Sequence, residues 1–118
     1  MNKKTKTQIE KIANENDWSV HFCDEIDNKI CLEFENYTPF GQDLIVAIWM
    51  PTKSTIEDLA SAIYEYADDY DPDYEASLWI GDDGHGKNGA PYRISDIVED
   101  MKDAEQMIYD LADAFKEA

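Results

Sequence analysis

The chain has 118 residues, of which 43% are hydrophobic and 12% aromatic. That is enough apolar surface for one hydrophobic core without a metal or disulfide framework, and it excludes general disorder. The formal net charge is −17, from 27 acidic and 10 basic residues. Such an excess argues against direct binding to nucleic acid or to an anionic membrane, where affinity comes from basic groups that displace counterions.

The charge is uneven. Residues 1–53 hold 9 acids and 6 bases, a net −3, whereas residues 54–118 hold 18 acids and 4 bases, a net −14. The basic opening Met1 to Lys6 is followed by no apolar run and does not read as a secretory signal. No segment approaches the length of a membrane span, and the expected location is the cytoplasm. Cys23 and Cys31 fall on adjacent predicted strands and are read as reduced thiols. Their spacing is not CxxC, so it supports neither a zinc site nor a redox motif, and no metal or cofactor is expected.

In chain order, Thr5 to Asn16 predicts a first helix with a thin apolar face of Ile9, Ile12 and Ala13, packed at the periphery. Residues 1–4 are read as a candidate disordered tail. Trp18 to Asp24 alternates, with Trp18, Val20 and Phe22 on one face, which predicts a strand. Asp27-Asn28 reads as a tight turn, and Ile30, Leu32 and Phe34 predict a second half-buried strand. Turn chemistry fills residues 36–41 through Pro39 and Gly41. Leu44 to Met50 is a near-continuous apolar run that suits a central strand covered on both faces.

Ser54 or Thr55 caps the next helix, with Glu57 or Asp58 three residues on as in a capping box. Its Ile56, Leu59, Ile63 and Tyr66 recur at helical spacing. After Pro72, the apolar stretch Ala76 to Ile80 is read as a fourth strand, and Gly81 to Pro91 as a flexible loop presenting Lys87. The last helix, about Asp96 to Lys116, places Ile97, Met101, Ala104, Ile108, Leu111 and Phe115 on one side. Asp96, Glu99, Asp100, Asp103, Asp110, Asp113 and Glu117 gather on the other. The expected fold is a single α+β domain over residues 1–118, in the order α-β-β-β-α-β-α. An antiparallel sheet is packed on one face by two amphipathic helices.

Two local patterns invite chemistry and fail on inspection. In the acidic bend, Asp69, Asp71 and Asp73 match the first ligand positions of an EF-hand loop, but Tyr74 stands where glycine is needed and Ile80 where the bidentate glutamate belongs. The loop from Gly81 to Asn88 approaches a phosphate-binding GxxxxGK[ST] pattern, but Asn88 replaces the hydroxyl residue, and Asp82 and Asp83 would repel phosphate. His21 and His85 are the only histidines, and neither joins a nucleophile in a known motif. No catalytic residue is assigned.

The remaining candidate is the carboxylate surface. Acids three or four apart on a helix lie about 5–6 Å from one another, comparable to successive phosphates of a nucleic-acid strand. Asp96, Glu99, Asp100, Asp103, Asp110 and Asp113 form one such line. Glu57, Asp58, Glu65, Asp68 and Asp69 form a second, continued by Asp71 and Asp73, with Tyr70 and Tyr74 as aromatic contact anchors. The partner such a surface suits is a basic nucleic-acid-binding protein.

The segments Glu35-Asn-Tyr-Thr-Pro-Phe-Gly-Gln-Asp43 and Gly86-Lys-Asn-Gly-Ala-Pro91, leading into an acidic C-terminal helix, resemble a set of small acidic proteins. These are encoded by phages and mobile elements of gut Firmicutes and related bacteria, and the resemblance covers the chain from Trp18 onward. That set has no assigned activity, so it supplies no functional residues. It implies a setting in which small acidic proteins often inhibit host defence nucleases, as anti-CRISPR and antirestriction proteins that mimic nucleic acid do. The alternatives are an interaction module engaged through Tyr70, Tyr74 and the glycine loop, and, more remotely, an enzyme or a loose divalent-metal binder.

Overall fold

The computed structural model describes all 118 residues, in the order α1 (Lys3–Glu15), β1 (Ser19–Phe22), β2 (Lys29–Tyr37), β3 (Asp43–Pro51), α2 (Ile56–Asp69), α3 (Pro72–Ser77) and α4 (Ile94–Lys116). It is an α+β domain with one antiparallel sheet in the order β1-β2-β3. The meander follows from its turns. Asp27 and Asn28 both take positive φ, 52° and 63°, as a two-residue hairpin turn requires, because that backbone twist matches the twist of the strands. Asp and Asn tolerate this conformation better than most residues.

Helix α1 starts at once. Asn2 caps it by accepting from the Thr5 N–H, and the Met1 ammonium pairs with Glu25, so residues 1–4 are no disordered tail. Its narrow apolar face is fully used, since Ile9 and Ala13 are buried in the main core. α2 begins with a complete capping box: the Thr55 hydroxyl accepts from the Asp58 N–H, and Asp58 accepts from the Thr55 N–H. Thr55, not Ser54, is therefore the cap.

The expected fourth strand is a helix. Asp71 accepts from the Asp73 and Tyr74 N–H groups and Pro72 follows at the first helical position, a start signal that outweighs the short apolar run behind it. Ala76 lies at the helix end, and only Ile80 pairs in strand fashion, in a single bridge to Gly86. With no fourth strand to cover it, β3 is an edge strand and not a central one. Its residues alternate strictly: Leu44, Val46, Ile48 and Met50 are buried, whereas Ile45, Ala47 and Trp49 face out.

One face of the sheet carries the core. Ile30, Leu32 and Phe34 of β2 join the inner residues of β3, Ile9 of α1, Leu59 and Ile63 of α2, and Ile108, Leu111 and Phe115 of α4. Phe34 and Phe115 meet edge to face at 5.6 Å between ring centroids. A smaller cluster of Ala76, Ile97 and Met101 lies under α3 and the glycine loop.

That loop is braced. The Gly81 N–H donates to the His85 carbonyl at 2.7 Å, the Gly86 N–H to Tyr92 at 3.0 Å and the Lys87 N–H to Trp79 at 2.7 Å, leaving the Lys87 side chain exposed. A Cβ on Gly86 would stand 1.8 Å from the Pro91 carbonyl oxygen, so alanine there forces the two loop strands apart. Gly86→Ala is expected to destabilise the protein by about 2 kcal/mol, read as a lower midpoint in urea. An unchanged midpoint would mean that the loop does not need this close approach.

Candidate functional site

The acidic surface is built on α2 and α4, which lie side by side and are clasped by two reciprocal bonds. The Tyr64 hydroxyl of α2 donates to Asp113 of α4, and the Tyr109 hydroxyl of α4 donates to Asp68 of α2 at 2.5 Å. The two rings sit 6.5 Å apart between the bonds. α2 thus runs antiparallel to α4.

Of the residues expected on this surface, Glu57, Asp58, Glu65, Asp68, Asp69, Asp71, Asp73, Glu99, Asp103, Asp110 and Asp113 are exposed, and Asp96 is half-buried. Asp100 is not on it. It is 0% exposed and turned inward, accepting from the Thr38 hydroxyl at 2.6 Å and the Phe40 N–H at 3.1 Å. The Thr38 oxygen in turn accepts from the Gln42 N–H at 2.9 Å. Asp100 anchors the β2–β3 connection to α4 and leaves the ridge as two groups, Glu99 with Asp103 and Asp110 with Asp113 and Glu117.

The tyrosines divide as well. Tyr74 is exposed, but Tyr70 is half-buried, with its hydroxyl on the Met101 sulfur at 3.5 Å. Burial pushes the Tyr70 phenol well above the usual tyrosine range. It lines a cavity of about 360 Å³ with Tyr66, Glu75, Leu78 and Trp79, where burial, then the charge of Asp71, raises the Glu75 carboxyl. Tyr70 is a half-buried wall of this cavity.

The clasping tyrosines have a measurable signature. The hydrogen bond to Asp113 disfavours tyrosinate at Tyr64 and the bond to Asp68 does so at Tyr109, with burial adding to each; both phenols are pushed up to about 12 from 10.0. A raised folded-state value means that the folded chain holds these protons longer than the unfolded one. The stability they contribute is complete below pH 10.0 and is lost as pH rises through about 12. Absorbance at the tyrosinate band is expected to show two late phenols moving toward pH 10.0 in Asp68→Asn/Asp113→Asn while Tyr70 stays late; a late amplitude that does not shrink at all would exclude the clasp.

Charge compensation is nearly absent. The protein has two ion pairs, Met1 with Glu25 and Lys11 with Glu15, and both lie within residues 1–53. No helix is long and apolar enough to cross a membrane. No family model matches the chain, and neither a curated protein nor a solved structure matches it.

The open face of the sheet carries groups that the sequence reading did not single out. Tyr37 is 67% exposed, Trp49 59% and Ile45 51%. The signal was present as alternation within Leu44 to Met50, but both halves of the alternation are apolar. On the β1–β2 side of the same face Cys23 and Cys31 are close, both as free thiols. The Cys23 thiol is pushed up to about 11, by burial first and then by its hydrogen bond to Glu33.

Proposed function

We propose that this is a non-enzymatic binding protein whose α2–α4 carboxylate face occupies the basic nucleic-acid groove of a protein partner. The phage setting rests on the resemblance of residues 35–43 and 86–91, and it makes the partner a host defence nuclease, inhibited in the anti-CRISPR or antirestriction manner. The observation that carries the reading is the missing compensation: none of the 18 acids of residues 54–118 forms an ion pair. Ordinary surfaces intersperse the two signs, and a single-sign field lowers the stability of the compact state by self-repulsion. Against a basic groove the same field releases counterions from both surfaces and becomes a source of affinity.

The test is capture from host lysate at low salt, followed by a salt gradient and, separately, by competition with duplex DNA. The expected result is a nucleic-acid-processing protein released by moderate salt and displaced by DNA. A partner indifferent to both would overturn mimicry.

That second outcome belongs to another reading, favoured by Tyr37, Ile45 and Trp49 on the open sheet face beside the free edge of β3. An exposed apolar face next to an unpaired strand edge suits a protein interface, and its binding would depend little on salt. In this version the contact lies on the sheet, and not at Tyr70.

A further inference from the structure

Cys23, Cys31 and Glu33 are the one place where ligand-type side chains converge: two sulfurs and a carboxylate oxygen all lie within 4.8 Å of one another. The ladder explains why. β1 ends at Phe22, but the Cys23 N–H still donates to the Cys31 carbonyl at 2.9 Å, so the pairing continues for one step and sets the cysteines opposite each other. One pair earlier on the same face, His21 stands opposite Glu33. Side chains alternate along a strand; with Leu32 and Phe34 in the core, Cys31 and Glu33 belong to the open face, and His21 and Cys23 with them. The Cys23 thiol already donates to Glu33 at 3.4 Å.

We propose that Cys23, Cys31, Glu33 and His21 bind one zinc ion on the open sheet face. Zinc takes cysteine sulfur at about 2.3 Å and histidine nitrogen or carboxylate oxygen at about 2.0–2.2 Å in a tetrahedron. Donors around one ion are then roughly 3.3–3.8 Å apart, a contraction of about 1 Å that side-chain torsions supply. His21 is exposed and free to turn toward the set. Two sulfur ligands exclude calcium and magnesium, which take oxygen, and thiolate with imidazole suits zinc. Binding releases the two thiol protons to solvent as Zn²⁺ enters, so the charge of the patch is unchanged. The ion would tie β1, an edge strand of four residues, to β2 across two successive pairs. A disulfide between the cysteines would leave Glu33 and His21 without a part.

The experiment uses the full reduced chain and two probes, cobalt(II) and zinc. Cobalt is expected to bind at one equivalent with an intense near-ultraviolet thiolate-to-metal band, and zinc to displace it, because the d10 ion has no ligand-field stabilisation to lose in a tetrahedral site. Zinc should also raise the thermal midpoint by several degrees, as a ligand of the folded state does. Cys23→Ser and Glu33→Gln, on the accessible side of the site, should weaken zinc binding at least tenfold, and Cys23→Ser should also diminish the band; His21→Ala should weaken binding about tenfold. Cobalt held only by the many surface carboxylates gives no thiolate band, and that result overturns the proposal. A band that Cys23→Ser leaves intact overturns it too, as does a pair of cysteines found oxidised that takes up no metal once reduced. Zinc affinity unchanged in His21→Ala overturns the four-ligand set.

Discussion

Exchanging Glu99, Asp103 and Asp110 of α4 and Glu117 at its C-terminal cap for their amides, together with Glu57 and Glu65 of α2, is expected to weaken partner binding roughly a hundredfold while the protein stays folded. The six are chosen by what their side chains do within the chain. Asp58 closes the capping box of α2, Asp71 caps α3, Asp68 and Asp113 hold the clasping tyrosines, and Asp100 is buried; these five are left in place. The six exchanged groups are exposed, and the one side-chain bond among them is the solvent-exposed one that Gln106 donates to Asp110 along the same helix at 2.9 Å. At about 0.5 kcal/mol for each screened charge pair, six losses amount to about 3 kcal/mol. The salt dependence should flatten with them, because fewer counterions are exchanged on binding. The thermal midpoint should hold or rise, since like charges have been removed from a crowded surface. A matched variant with Glu10 and Glu15 as glutamines should bind like the parent. If the six-fold variant is folded and keeps both its affinity and its salt slope, the carboxylate face is not the binding surface.

The elements with a clear local period were legible in the sequence. The last helix, the Asp27-Asn28 hairpin and the capping box at Thr55 all rest on interactions within a few residues, and each is present. What was not legible depends on neighbours distant in sequence. Ala76 to Ile80 has a strand-like composition, but Asp71 and Pro72 had already committed the segment to a helix. Losing that strand turned β3 from a central strand into an edge, and Ile45 and Trp49 are in solvent because the helices cover only the other face of the sheet. The candidate surface was readable as a density of charge, but the separate work of Asp68 and Asp113 was not, because it needs the pairing of α2 with α4. Cysteine spacing likewise conceals Cys23 and Cys31, which meet across two strands and have no motif along one. Asp100 is the instructive case. At about 100° per residue it falls roughly 60° from the centre of the α4 seam at Ile97, beside Leu111, whereas Asp103 falls about 120° away on the same side. It sits on the border of the apolar arc, and whether a border residue is a ridge or an anchor depends on what packs against it.

Asp100→Ala is therefore expected to be the most damaging change among the acidic residues of α4, costing about 3 kcal/mol and lowering the thermal midpoint by roughly 10 °C. The carboxylate serves two donors, the Thr38 hydroxyl and the Phe40 N–H. Its loss leaves the buried Thr38 hydroxyl and the part-buried Phe40 N–H without this partner, and a buried donor left unpaired costs about 1–3 kcal/mol. The Thr38 oxygen also receives the Gln42 N–H, and the Gln42 side chain donates to the Gly89 carbonyl at 2.5 Å. The damage should therefore spread from the β2–β3 connection into the glycine loop, with faster amide exchange at Phe40 and Gln42. Asp100→Asn keeps an acceptor for the Phe40 amide and should cost about 1 kcal/mol. Asp103→Asn, three residues on and exposed, should stay within about 0.5 kcal/mol of the parent. Equal stability of the Asp100→Ala and Asp103→Asn variants would mean that the carboxylate does not anchor the connection. The predicted order separates two meanings of an acidic residue on one helix. A charge-removal series that includes Asp100 would lose binding through loss of the fold, and only a series that spares it reports on the surface.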